Sequence, residues 1–296
     1  MKIIFLLLLT VTTICCLEAQ NRDCKATPPF TQAQGFDLSR SGFSTSERAT
    51  MGLCYVEFAQ TPQQKTRLYQ HPSWRSAGWL GPMVITEKGE VWVAPIPVIN
   101  LIDNRPNEQT RIYKVDAQTG EMKMVTELPK PTAPGPENPF GILGMAYDCD
   151  NGVIYATSVS GSDRDNERGR VFALRSSDLS IVAQLEGIDA MGVGVGYVAG
   201  EKRLYIGKVR TGDIVSVGLA KDGSFIGTPQ PALTLEDLGP RGDDRARKIR
   251  FSTDGTLTIQ GVEFYFNLIA PAEKQEAVYQ FKYDIGTQKW VLVGIK

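Results

Sequence analysis

One histidine, His71, stands in the whole 296-residue chain. Zinc centres built on several imidazoles, and histidine dyads in hydrolases or lyases, need more rings than this. A Ser-His-Asp triad would have to recruit His71 itself, and no Gly-x-Ser-x-Gly elbow accompanies it. Followed directly by Pro72, His71 reads as a surface loop residue. Charge of one sign is missing too, since 32 basic residues face 33 acidic ones. Without a net positive field or a recognised nucleic-acid motif, DNA and RNA are not expected partners. No P-loop is present, and Gly192-Val-Gly-Val-Gly196 has no helical pattern after it, so it reads as close backbone packing rather than a phosphate cradle. Past the first residues no amphipathic helical stretch is sustained, which leaves a βαβ architecture without its crossover helices.

What is present begins with a leader. Met1-Lys2 is charged, Ile3 to Cys16 is apolar, and Leu17-Glu18-Ala19-Gln20 supplies small residues for cleavage after Ala19. The apolar run is shorter than the roughly 20 residues of a spanning helix. The expectation is a signal peptide over 1–19, then a single domain over 20–296, secreted or periplasmic. Beyond the leader remain Cys24, Cys54 and Cys149. Three is odd, so in an oxidising compartment at least one stays unpaired. Cys24 and Cys54, near in sequence, are one pair that would staple the N-terminal segment to the body. Cys149 sits in a Tyr-Asp-Cys-Asp-Asn-Gly turn, and the pairing stays open. No histidine neighbours any of the three, so a nucleophilic cysteine is not indicated.

The strongest signal is repetition. Ile112-Tyr-Lys-Val-Asp-Ala-Gln-Thr-Gly is echoed by Val171-Phe-Ala-Leu-Arg-Ser-Ser-Asp, Ile214-Val-Ser-Val-Gly-Leu-Ala-Lys-Asp-Gly and Val278-Tyr-Gln-Phe-Lys-Tyr-Asp-Ile-Gly, and more loosely by Cys54-Tyr-Val-Glu-Phe. Ahead of these stand Gly89-Glu-Val-Trp-Val-Ala, Gly152-Val-Ile-Tyr-Ala-Thr, Lys202-Arg-Leu-Tyr-Ile-Gly and Gly255-Thr-Leu-Thr-Ile-Gln. Alternating bulky residues after a turn mean strands, and a unit recurring roughly every fifty residues suits propeller blades better than a β-sandwich. The predicted fold is an all-β propeller of five or six antiparallel blades. Four blades are legible at 79–129, 138–187, 189–238 and 244–296, and a less regular region at 27–75 supplies a fifth. Closure of the ring is expected from pairing of N-terminal with C-terminal strands, which protects strand edges.

In such a ring, loops entering the inner strands converge on one face with loops between second and third strands. The candidate ligand residues there are Trp79, Asn138, Phe140, Asp189, Arg241, Asp243, Asp244, Arg245 and Arg247, with Arg105, Tyr265 and Phe266 nearby. Arginines, carboxylates and aromatic rings together suit an anionic or sugar-like ligand. Asp163, Asp165 and Glu167 are spaced as in calcium loops, although Arg168 and Leu174 stand where the loop's Gly and Glu belong. Arg241-Gly242-Asp243 reads as a chance integrin-type tripeptide.

Gly81-Pro82-Met-Val-Ile-Thr-Glu-Lys-Gly-Glu-Val-Trp-Val-Ala and Lys248-Ile-Arg-Phe-Ser-Thr-Asp-Gly-Thr-Leu resemble strand signatures of the SMP-30/gluconolactonase and NHL-type propellers, in the six-bladed TolB-like superfamily. The resemblance spans most of 79–296 and implies a divalent ion, usually calcium, held by a Glu before the Gly-Pro and by Asn and Asp at other strand starts. At the matching positions stand Leu80, Phe140 and Ser158. The first two have no oxygen donor on the side chain, which weakens the lactonase reading. The expectation is therefore a monomeric binding or scaffold module for a small molecule or extracellular protein, with calcium the one cofactor considered. The alternative is a calcium-dependent lactonase or esterase with relocated ligands.

Overall fold

Turns built on glycine and aspartate separate short runs of β-branched and aromatic residues, and these runs become strands. A computed structural model describes residues 21–47, 49–61, 64–97, 102–131, 137–267 and 276–296. The leader expected over 1–19 lies outside the described residues. Blade one holds β1 (Ser41–Ser44), β2 (Cys54–Glu57) and β3 (Arg67–Tyr69). Blade two holds β4 (Leu80–Ile85), β5 (Val91–Pro95), β6 (Arg111–Val115) and β7 (Met122–Glu127). Blade three holds β8 (Ile142–Asp148), β9 (Val153–Ser158), β10 (Arg170–Arg175) and β11 (Ile181–Glu186). Blade four holds β12 (Ala190–Val198), β13 (Glu201–Lys208), β14 (Asp213–Leu219) and β15 (Phe225–Thr234). Blade five holds β16 (Arg245–Phe251), β17 (Leu257–Val262), β18 (Ala277–Asp284) and β19 (Lys289–Ile295).

Every sheet is an antiparallel meander in chain order, and together the five form a β-propeller. The described residues thus give five blades, not the six of the superfamily that the strand signatures resemble. Among the described residues blade one has three strands where the others have four, which is why its segment reads as less regular. Among the described residues helix is confined to α1 (Pro29–Ala33) and three short 3-10 turns. His71 caps one of these, its Nδ1 accepting from the Ser73 backbone N–H at 3.2 Å.

The repeated Asp of the third-strand segments has a local cause. Asp116 accepts from the N–H of Gln118 and of Thr119 at 2.9 and 2.8 Å. Asp178 and Asp222 each accept at 3.0 Å, from Ser180 and Ser224. Asp284 accepts from Gly286 at 2.8 Å. Each carboxylate closes the turn into the outermost strand by imitating a backbone acceptor.

Blades two, three and four are buried on both faces because each packs against two neighbours. Val93 and Tyr113 join Tyr55 and Trp74 between blades one and two, while Trp92 and Ile112 join Ile154 and Phe172 between blades two and three. Tyr155 and Val171 meet Leu204 and Ile206 next, and Tyr205 and Ile214 meet Ile259 and Tyr279 last. Inner strands come close enough to require glycine. A Cβ on Gly144 would lie 1.9 Å from the carbonyl oxygen of Met191, and one on Gly194 would lie 2.5 Å from that of Ile249. The Gly192–Gly196 run is the close-packing element expected of it.

Closure differs from expectation. All four strands of blade five come from the C-terminal segment, and among the described residues before blade one none adds a strand to it. This segment instead crosses the inner hairpin turns as a strap. The Asn21 side chain donates to Tyr197 O and accepts from Tyr197 N, at 3.3 and 2.7 Å. Arg22 pairs with Asp150, and Ala26 N–H donates to Thr86 O at 3.0 Å. Pro28 and Pro29 lack the N–H donors that a ladder needs. Cys24 bonds Cys149 rather than Cys54, which is free and buried. Nearness in sequence does not decide the pairing because the strap passes blades four, three and two before it reaches blade one, which sets Cys24 beside the turn after β8.

Candidate functional site

The face where inner strands begin and second strands end is floored by apolar residues. Leu143, Val159, Met191, Val209 and Val262 are buried in one cluster, with Ile96, Phe140, Phe264 and Phe266 partly buried against it. These nine residues come from blades two to five, so the floor spans the mouth of the ring. The rings form a chain: Phe140 and Phe264 centroids lie 5.6 Å apart, and Phe264 meets Phe266 edge-on at 5.3 Å. Tyr265, between them in sequence, is 51% exposed.

Beneath and around this floor the polar candidates act as braces. Asn138 is buried, and its amide donates to the carbonyls of Val159 and Ser162 at 2.8 and 2.9 Å while its oxygen accepts from Phe140 N at 2.9 Å. That bond sets the start of the Phe140 segment. Asp189 is fully buried, accepting from Ser162 Oγ, from Gly169 N at 2.9 Å and from Arg210 Nε at 2.7 Å. Burial pushes its carboxyl pKa up, opposed by the bonds from Ser162 and Arg210. Arg210 also donates to the carbonyls of Asp163, Arg164 and Asn166 at 2.7, 2.8 and 2.7 Å, and its guanidinium lies 5.1 Å over the Phe266 ring. One side chain thus ties the loop after β9, the entrance to blade four and the aromatic row.

Asp244 is likewise fully buried, held by Arg241 Nε and Tyr279 OH, each at 2.6 Å. Burial and the Asp244 bond raise the Tyr279 pKa. Arg247 is paired with Glu276, and Asp243 is exposed. Trp79 exchanges both backbone groups with the Asn104 side chain at 2.9 Å. Arg245 donates Nε to Val209 O at 3.0 Å and a terminal nitrogen to Asp243 O at 2.5 Å.

The calcium-like spacing resolves into a turn. Asp163 accepts from the N–H groups of Asp165 and Asn166, both at 2.8 Å, and Glu167 accepts from Asp189 N at 2.9 Å. Among the described residues no group of three or more His, Cys, Asp or Glu side chains is placed to hold a metal ion. Leu80 is buried in the core between blades one and two, Ser158 is buried in β9, and Phe140 lies on the apolar floor. The residues present therefore do not fit the calcium ion that the resemblance implies.

Phe264, Arg210 and Asn104 lie in loops between second and third strands, which the sequence places at this face, but they are not among its candidate ligand residues. For Phe264 the signal was available, since Phe264-Tyr-Phe266 is a run of three aromatic residues at the end of a second strand. For Arg210 and Asn104 nothing in the local sequence tells which neighbour they reach.

No family model matches the chain, and no curated protein matches it. Among solved structures it is similar to a calcium-binding protein, regucalcin, from Agrobacterium tumefaciens, with 12% identity, a TM-score of 0.49, and coverage of 88% of this chain and 71% of that one. A gluconolactonase from Xanthomonas campestris gives 16% identity and a TM-score of 0.40 over 71% and 65% of the two chains. An exo-β-1,3-galactanase from Phanerochaete chrysosporium gives 9% and 0.49 over 87% and 61%. The chain spans under two thirds of the length of the last two.

Proposed function

We propose that this protein is a secreted binding module that takes a small molecule at the apolar mouth of its propeller. The observation that carries the reading is the floor itself: Leu143, Met191 and Val262 converge with Phe140, Phe264 and Phe266 where strand ends of several blades meet. Concave sites of mainly apolar and aromatic lining, with a few placed polar groups, are the usual small-molecule sites. The two deeply buried carboxylates of this face, Asp189 and Asp244, are already engaged by Arg210 and Arg241. Calcium takes six to eight oxygen ligands, and a metal-dependent lactonase or esterase would need them from elsewhere. Export agrees with the leader-like N-terminus and with a Cys24–Cys149 disulfide, a bond that persists in oxidising compartments.

Thermal unfolding of residues 20–296 with excess calcium and with chelator tests this. The expected result is one melting temperature under both conditions and no turnover of lactones or esters. A calcium-dependent rise of several degrees together with turnover would transfer the reading to the hydrolase, because only a ligand of the folded form stabilises it.

A further inference from the structure

We propose that the ligand of this mouth is an aromatic or aliphatic acid, its apolar body on the Phe140–Phe264–Phe266 row and its anionic head on Arg245. The inference rests on the mouth being the ligand site. Arg245 opens β16 directly opposite Val262 on β17, and its Nε is fixed at 3.0 Å to the carbonyl of Val209. Val209 and Val262 both belong to the apolar floor, so the guanidinium is fastened at the edge of that floor. Its second bond, from a terminal nitrogen, also goes to a backbone carbonyl, that of Asp243.

Carbonyls orient a guanidinium and leave its charge uncompensated. Arg210, Arg241 and Arg247 each have a carboxylate partner, whereas among the described residues no carboxylate lies within 4.0 Å of the Arg245 nitrogens. Of the five N–H donors of a guanidinium, two are used in these bonds. The rest suit a planar, two-oxygen acceptor. A half-buried cation at the edge of an apolar floor selects a ligand that is apolar at one end and anionic at the other, since a neutral ligand would leave the charge without its counterpart.

The test uses residues 20–296, with anilinonaphthalene sulfonate as the acid and phenylnaphthylamine as its uncharged analogue, both followed by fluorescence. The wild type is expected to bind the sulfonate more tightly than the amine. Arg245→Gln should weaken the sulfonate by about tenfold or more and leave the amine unchanged, while Phe264→Ala should weaken both. Equal wild-type affinities, or a sulfonate affinity unmoved by Arg245→Gln, overturn the acid assignment; if Phe264→Ala still weakens both probes, the mouth stands as a site for uncharged ligands. Failure of both probes to bind, or indifference of both to Phe264→Ala, overturns the mouth and the acid together. Should Arg245→Gln not fold, salt titration of the wild type replaces it. Sulfonate affinity that falls with ionic strength while amine affinity holds supports the assignment, and parallel behaviour overturns it.

Discussion

Cys24 and Cys149 are joined across 125 residues of sequence, fastening the N-terminal strap to the turn between β8 and β9. The same strap touches blade two through Thr86 and blade four through Tyr197, so the bond fixes a tie across three blades where the described residues show no strand pairing between the N-terminal segment and blade five. In the chain-entropy account a crosslink over so long a loop restricts the unfolded chain by up to about 5 kcal/mol. Cys24→Ser with Cys149→Ser should accordingly lower stability by about 2–5 kcal/mol in denaturant titrations, and an unchanged midpoint would show the strap to be idle. Cys54 is a control in the same sample. Burial, aided by the charge of Glu47, pushes its pKa up to about 11, so it should react with iodoacetamide only after unfolding.

Blades two to five were legible in the sequence because two local signals coincide in each. Alternating strands such as Val91–Pro95 and Val153–Ser158 follow a turn, and an aspartate such as Asp116 or Asp178 closes the next one. Both signals arise from interactions between residues a few positions apart. The direction of a side chain at the mouth is different in kind. Asp189 faces inward because Ser162, Gly169 and Arg210 arrive from other segments to meet it, and none of these is encoded beside it. Asn138 and Asp244 stand ahead of inner strands in the repeat pattern and could not be recognised as braces before their partners were located.

Gly194 separates two inner strands by the width of a hydrogen atom rather than a methyl group. An added Cβ would stand 2.5 Å from the carbonyl oxygen of Ile249, and the neighbour is backbone, which has little freedom to yield. Gly194→Ala should cost about 1–3 kcal/mol through overpacking. Gly42, on β1, has no atom within 4 Å of its added Cβ, so Gly42→Ala should melt near the wild type. Equal melting temperatures for all three proteins would mean that β12 and β16 are not in the contact described.

Arg210→Met removes the partner of a carboxylate that is fully buried. Stranding one member of a buried pair costs about 3–5 kcal/mol, and here the three carbonyls that Arg210 gathers lose their donor as well. The variant should have a lower melting temperature at neutral pH. Its loss should shrink on acidification: a carboxyl with raised folded pKa contributes stability that is present below its unfolded value and disappears as pH rises through the folded one. Removing the arginine raises that folded value further. A deficit unchanged between pH 7 and pH 5 would show that Asp189 is not the group left unpaired.

The turn aspartates behave in the opposite sense. Side-chain and backbone hydrogen bonds from Ser180 and Ser224 hold Asp178 and Asp222 below their usual range, as do backbone N–H bonds for Asp116 and Asp284. A depressed folded pKa contributes stability that is complete above the unfolded value and lost as pH falls through the folded one. With ordinary aspartates titrating near 4, the melting temperature should hold on the neutral side and fall once pH drops below about 4. Replacing all four by asparagine keeps an oxygen acceptor in each turn and removes its titration. This variant should start from a lower neutral-pH melting temperature and lose less between pH 5 and pH 3 than the wild type. Parallel curves for the two proteins would assign the acid transition to carboxylates outside these turns.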